Sequence, residues 1–384
     1  MKREKLKICF FGNVESIHMV KWARYFSEKS HEVHLLSYLP QGSISSSKDY
    51  NLAGIKLHLI KKVFPITIWP FDTLVNLPPA ILRTKKIIKE INPDIIHAHY
   101  VTSYGTLSAL LKFHPFLITA WGSDILIAPK NSFFTKWSVK YTLKKADFIT
   151  CDAEHMKEAI MKLGAPSPKI KIINFGIDTQ KFSPSGKDIN LIEELGISNS
   201  KTVISLRSLE PIYNIETLIQ TASSVTKEFP EAKFIIAGGG SQEKELKKLA
   251  KDLEILESFR FVGKIPNEEL PKYLRIADVY VSTSLSDGGI SASTAEAMAC
   301  GLPVVITDTG ENKKWIEDGK DGFIIPIKNP QILAEKIIYL LQSENERKKF
   351  GEKGRKIIEE RNDYYKEMEK MEEIYYELLN KSRL

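Results

Sequence analysis

A chain of 384 residues exceeds one ordinary core and suits two domains of roughly 150 to 200 residues each, and its 43% apolar and 27% charged content excludes extensive disorder. No apolar run reaches the ~18 residues that a bilayer span needs, and three scattered cysteines exclude a disulfide framework, so a cytoplasmic protein is expected. The net charge of +7 is uneven: residues 1–185 carry 26 Lys and Arg against 14 Asp and Glu, and residues 186–384 carry 29 against 34, so the first half should face something anionic.

The predicted elements alternate along the chain. KLKICFFG (5–12) reads as a buried strand, 16–29 as a helix, HEVHLLSY (31–38) as the next strand, 39–54 as polar loop and IKLHLIK (55–61) as a third strand. Pro65 to Pro79 reads as an aromatic, proline-rich connection, with a helix from about Pro79 to Ile91. Strands at 94–100, 116–121, 148–152 and 169–174 then alternate with helices at 103–113, 133–145 and 153–163. NFGIDTQKFSPSGKD (174–188) breaks the pattern with Gly, Pro and Ser and marks a domain boundary. Strands at 202–208, 232–240, 259–265, 279–285, 303–309 and 322–327 repeat the alternation, with helices near 214–228, 241–252, 267–276, 292–300 and 329–342. Residues 345–382 read as a highly charged helical tail. Apolar strands between amphipathic helices predict an α/β chain of two doubly wound, Rossmann-like parallel-sheet domains facing a cleft.

In open parallel sheets, ligands bind beyond the carboxyl ends of the strands. VSTSLSDGGISASTAEAMACGLPVVIT (281–307) offers a strand, a glycine loop and a helix start, which is where a phosphate would meet free N–H groups and a helix dipole. Glu296 could accept ribose hydroxyls, or simply compensate that dipole. Arg207 ends a strand and could bind a diphosphate with two teeth, although a surface arginine fits the position as well. AGGGSQE lacks the third glycine of a dinucleotide fingerprint, so Gly238–Gly240 read as a tight strand-to-helix turn. His97 and His99 share a strand face without an assignable third metal ligand, and no metal site is expected. FFTKWSVKYTLKK (133–145) spaces Lys136, Lys140 and Lys144 beside Trp137 and Tyr141. It reads either as an ordinary surface helix or as one lying on an anionic membrane. No nucleic-acid motif is present.

Taken together these segments resemble the retaining family-4 glycosyltransferases of GT-B fold, over nearly the whole chain. The resemblance runs through SIHMVKWARYFSEKSHEVHLLS, DIIHAHY, TAWGSDI, NFGIDTQKFSP, SLRSLEPIYNIETLI, AGGGS, FVGKIPNEEL and SDGGISASTAEAMACGLPVVITD. It implies an N-terminal acceptor domain (1–180), a C-terminal nucleotide-sugar domain (181–362) and a last helix (363–384) packing back on the first. It also implies Glu296 on the ribose, Arg207 on the diphosphate and the amides of Ser293 and Thr294 on phosphate oxygens. The backbone of Val262, Gly263, Lys264 and Ile265 would follow the base, Gly238 would belong to the donor-side turn, and Asp287, Gly288 and Gly289 would approach the sugar. Three positions depart from the family's pattern. Asp287 stands one residue further from Glu296 than the usual spacing, Tyr213 occupies the place of a phosphate-binding lysine, and Trp121 precedes Gly122 where a histidine is common. His18 or His99 is therefore considered for acid–base work, and Asp124 is retained among the catalytic candidates. The implied activity is metal-independent transfer, with retention, from a UDP- or GDP-sugar to a glycan or lipid-linked acceptor in cell-surface polysaccharide or glycolipid assembly, with no cofactor required. A peripheral position on the inner membrane face would suit the basic half. The alternatives are another GT-B enzyme, a phosphorylase or nucleotide-sugar epimerase, and a non-catalytic nucleotide-sugar-binding subunit.

Overall fold

The computed structural model describes residues 4–38, 52–60, 71–287 and 289–382, so most of the expected 39–54 loop and the first part of the Pro65–Pro79 connection lie outside it. The chain forms two compact units, Met1–Phe175 with Glu367–Leu384, and Gly176–Lys366. Residues 176–180 and 363–366 thus join the second unit instead of the first domain and the terminal helix. Ile177 bridges Asp363 in parallel, and its N–H and C=O bond to Asn362 and Tyr364.

In the first unit β1 (Lys7–Phe11), β2 (Glu32–Tyr38), β3 (Ile55–Ile60), β4 (Ile95–His99), β5 (Phe116–Thr119), β6 (Phe148–Cys151) and β7 (Ile170–Ile172) pair in parallel, in the order β3-β2-β1-β4-β5-β6-β7. Every residue of β4 is buried, as a central strand covered on both faces requires. Successive side chains go to opposite faces: Phe11, Ile96 and Ile118 pack in one cluster, while Phe10 meets Phe26 and His97 on the other. Helix Ile17–Glu28, capped by the Ser16 side chain on the Met19 N–H, covers this second face with Met19, Trp22, Ala23 and Phe26. Residues from Glu367 onward of helix Tyr364–Ser382 complete the unit. His31 Nε2 lies 3.1 Å from Glu372 Oε1, and Tyr376 donates to the Glu4 carbonyl at 2.7 Å.

The second unit repeats the plan. Strands β8 (Thr202–Ser205), β9 (Lys233–Ala237), β10 (Phe259–Gly263), β11 (Val279–Ser282), β12 (Val304–Thr307) and β13 (Phe323–Ile325) are parallel in the order β10-β9-β8-β11-β12-β13. Val203 and Val281 face one core cluster, Ile204 and Tyr280 the other. In both sheets the first strand lies inside, and the chain builds outward on one side before crossing to the other. The crossings leave a crevice at the carboxyl ends of β1 and β4, and of β8 and β11, where such folds place ligands.

Some boundaries differ from expectation. Helix Phe71–Ile91 starts ahead of Pro79 and holds Pro78 and Pro79 within it. Proline's ring fixes φ near the helical value, so the cost is lost N–H donors and local crowding and the helix continues. The charged tail is two helices, Glu344–Arg361 and Tyr364–Ser382, divided where Asp363 accepts from the Lys366 N–H at 3.0 Å. Helices Ser123–Leu126, Ala128–Asn131, Ile189–Glu194 and Asn312–Trp315 were not expected, being too short to show a 3.6-residue period. Among the described residues, no helix is long and apolar enough to cross a membrane.

Candidate active site

Beyond β8 in the second unit, Arg207 turns into the protein. Its Nη2 meets Asp287 Oδ1 at 2.5 Å, its Nη1 donates to Ser293 Oγ at 3.3 Å, and its guanidinium carbon lies 4.4 Å from the centre of the Tyr213 ring. Nε is buried with no hydrogen-bond partner among the described residues. Tyr280, buried on β11, donates its hydroxyl to the same Ser293 Oγ at 2.8 Å. Burial raises the Asp287 carboxyl above its ordinary range, against the opposing pull of Arg207.

Local sequence explains the arrangement. Ser291 caps helix Ala292–Ala299 by accepting from the Thr294 N–H at 3.3 Å. The Thr294 amide, expected to meet phosphate, thus meets the cap hydroxyl in the structure. Ser293 acts through its hydroxyl, bound to Arg207 and Tyr280. Ala295, Ala297 and Ala299 are buried, so small side chains let the helix lie close on the sheet, and Glu296 sits half-buried along it. The glycine turn after β9 supports the arginine loop. A Cβ on Gly238 (φ 156°) would lie 2.3 Å from the Arg207 carbonyl oxygen, and one on Gly240 the same distance from that of Leu209. Glu210 ties the turn down, accepting from Ser241 N at 2.8 Å and Ser241 Oγ at 2.5 Å. Gly238 therefore packs its backbone against Arg207 in the tight turn between β9 and helix Glu243–Asp252. Gly263 (φ 70°) and Gly289 face open space, whereas Gly288 lies outside the described residues. Val262, Lys264 and Ile265 line a cavity of about 280 Å³ with Leu191, Pro266 and Tyr273.

The first unit presents rings at the ends of β1, β4 and β5. His99 is buried and accepts from Trp121 Nε1 at 3.3 Å through Nδ1. Burial, and then His18, push its pKa down to about 3, so it is neutral with its proton on Nε2, which has no partner among the described residues. His97 is a core histidine: its nitrogens meet Tyr375 Oη at 2.5 Å and Thr119 Oγ1 at 2.6 Å, and Thr119 continues to Thr150. Among the described residues no three His, Cys, Asp or Glu gather in a metal-binding arrangement. His18 is exposed beside Phe175 and Trp121, with ring centres 5.1 and 5.9 Å away. Desolvation, then the Lys21 charge, lowers its pKa. Asp124 is fully buried, its Oδ2 accepting from Val101 N at 2.7 Å and its Oδ1 from Trp121 N at 3.0 Å. Its oxygens clamp the loops after β4 and β5.

Residues 188–357 match the family described as Glycosyl transferases group 1, and residues 7–153 match Glycosyl transferase 4-like. The chain belongs to the family-4 glycosyltransferases of GT-B fold. This glycosyltransferase is 24% identical over 373 residues to the N-acetyl-alpha-D-glucosaminyl L-malate synthase of Bacillus anthracis, covering 93% of this chain and 92% of that protein. It is 25% identical over 271 residues to the GDP-mannose-dependent alpha-(1-6)-phosphatidylinositol monomannoside mannosyltransferase of Mycolicibacterium smegmatis, covering 67% of this chain and 69% of that one. Its fold is similar to that of HepE from Anabaena, crystallised in complex with UDP, with a TM-score of 0.80, 20% identity, and coverage of 97% of this chain and 100% of that chain. It is a transferase, related to mannosyl- and N-acetylglucosaminyl-transferases.

Within the glycosyltransferase the expected site residues fall into two groups, Arg207, Asp287 and Ser293 on the second unit, and His18 and His99 with Trp121 on the first. Tyr280 and the Glu210 clamp were missed. Tyr280 sits in a strand whose apolar run reads as core, and nothing near Glu210 in sequence announces Ser241 as its partner.

Proposed function

We propose that the protein transfers a sugar, with retention of anomeric configuration, from a UDP- or GDP-sugar to a hydroxyl of a glycan or lipid-linked acceptor in cell-surface polysaccharide or glycolipid assembly. The observation that carries this is the buried guanidinium of Arg207, held at the start of helix Ala292–Ala299 beyond β8 and β11. There it meets the charge that builds on a departing diphosphate, and the helix N-terminus adds its partial positive charge. Glu296 takes the ribose, and the 262–265 segment with its cavity takes the base. The N-terminal unit binds the acceptor, whose hydroxyl attacks from the side the diphosphate leaves and passes its proton to a departing phosphate oxygen. Arg207 and the helix supply the charge compensation, so no metal ion is assigned a role. Both nucleotides stay in the proposal because HepE was solved with UDP while the mycobacterial relative is named for GDP-mannose.

The lipid side rests on helix Phe133–Lys145. Phe133, Phe134 and Trp137 are 77%, 71% and 58% exposed, beside exposed Lys136, Lys140 and Lys144. Rings that enter the interface and lysines that reach anionic headgroups suit a peripheral position on a membrane face.

A transfer assay with a panel of UDP- and GDP-sugars tests the reading. Arg207→Ala should lower kcat/KM by about 100-fold or more, and Glu296→Ala should weaken nucleotide binding. Wild-type behaviour in both variants refutes the donor site. Co-sedimentation with phosphatidylglycerol vesicles tests the lipid side, and retention of binding by a triple Phe133, Phe134 and Trp137 to Ser variant would remove it.

A further inference from the structure

Arg207 carries one positive charge and already meets one carboxylate, so the pair is neutral before any ligand arrives. Both side chains are nearly sealed from water, Arg207 8% and Asp287 9% exposed. A diphosphate brings at least two negative charges to the same guanidinium. A carboxylate left beside it would repel it with little screening. The lysine that would add a second positive charge is replaced by Tyr213, whose ring stacks on Arg207 and fixes its plane. Ser293 holds Nη1, and the buried Nε is a donor still without a partner among the described residues. The guanidinium is therefore positioned and partly unmet, with its one counter-ion supplied by the protein.

Resting on the donor reading above, we propose that Asp287 is an internal counter-ion standing at the diphosphate position, and that a nucleoside diphosphate enters by exchanging with it on Arg207. The phosphate takes Nη2 and the open Nε. Asp287 is released as a hydrogen-bond acceptor for sugar hydroxyls. The loop that recognises the sugar is thus freed only when the nucleotide end of the donor has arrived. Asp287 works against the affinity of the diphosphate and for the order of binding, and this coupling is what separates it from a purely structural ion pair.

Calorimetric titration of UDP, GDP and inorganic pyrophosphate into wild type, Asp287→Asn, Arg207→Ala and the double variant tests the exchange. These probes carry no sugar, so lost sugar contacts do not enter the readout. Asp287→Asn should bind the preferred nucleotide about five-fold or more tighter than wild type, Arg207→Ala should bind it more weakly, and Asp287→Asn should add nothing in the Arg207→Ala background. Equal or weaker binding by Asp287→Asn, beside a weakened Arg207→Ala, overturns the exchange and leaves the donor site standing. Wild-type affinity in Arg207→Ala overturns both. Should Asp287→Asn not fold, a crystal structure of the wild type with UDP decides: Asp287 beyond hydrogen-bond reach of Arg207 supports the exchange, and an intact pair beside a bound diphosphate overturns it.

Discussion

At the β8/β11 crossing the chain buries an ion pair, Arg207 with Asp287, whereas at the β1/β4 crossing of the other unit it sets uncharged rings, His99 against Trp121 and Trp22. The strand orders around the two crossings are the same. One topology therefore delivers strand ends to a point, and the loops decide what chemistry stands there. The difference has an energetic side. A buried ion pair recovers its desolvation cost poorly as a stabilising device, which favours a ligand-handling role for Arg207 and Asp287. The neutral histidines avoid the larger cost of burying a charge in a sealed aromatic layer.

The comparison is open to attack from the side of stability. Asp124→Ala leaves the Val101 and Trp121 amides without their acceptor and should destabilise the first unit by about 3 kcal/mol. Urea unfolding with amide exchange on β4 checks this, and calorimetry should show nucleotide affinity unchanged. A loss of nucleotide affinity with full stability would make Asp124 part of the site after all.

Acid sharpens the contrast. The folded-state pKa of His99 is near 3 against an ordinary 6.5, so below pH 6.5 the unfolded chain takes up a proton that the native state refuses. The resulting loss of stability begins as pH falls through 6.5 and continues toward 3, amounting to about 2 kcal/mol by pH 5. His99→Gln should be less stable than wild type at pH 7 and lose less on going to pH 5. Parallel pH slopes for the two proteins would contradict the neutral assignment.

The smallest expected effect belongs to the stacked ring. Tyr213→Ala should weaken nucleotide binding by about 1 kcal/mol while Tyr213→Phe leaves it near wild type. Equal losses in both would mean that the hydroxyl, not the ring face, does the work.

The parallel sheets were legible because β4, β11 and β12 are short apolar runs bounded by turn residues, a local property of the chain. So was the place of Arg207 just beyond β8, because the strand before it is one of these runs. What escaped sequence depends on partners far along the chain. Asp124 stood in a motif that suggested chemistry, but its oxygens bind amides brought in by the loops after β4 and β5. The Thr294 amide was expected to face a phosphate, and it also meets the hydroxyl of the serine three residues earlier. The turn at Gly238 was legible, but not that the space above it is filled by the Arg207 backbone. In each case the residue type was informative and the direction it faces was not.

His97 on β4 obtains one hydrogen-bond partner from Tyr375, 278 residues later, and His31 obtains one from Glu372. The sheet of the first unit is thus completed by a segment made after the whole second unit. While the chain grows on the ribosome, the whole second unit emerges before the first has its closing helix. Removing the segment from Glu367 onward would leave the His97 nitrogen that meets Tyr375 unanswered at the centre of β4, so a loss beyond the second unit would be felt in the first.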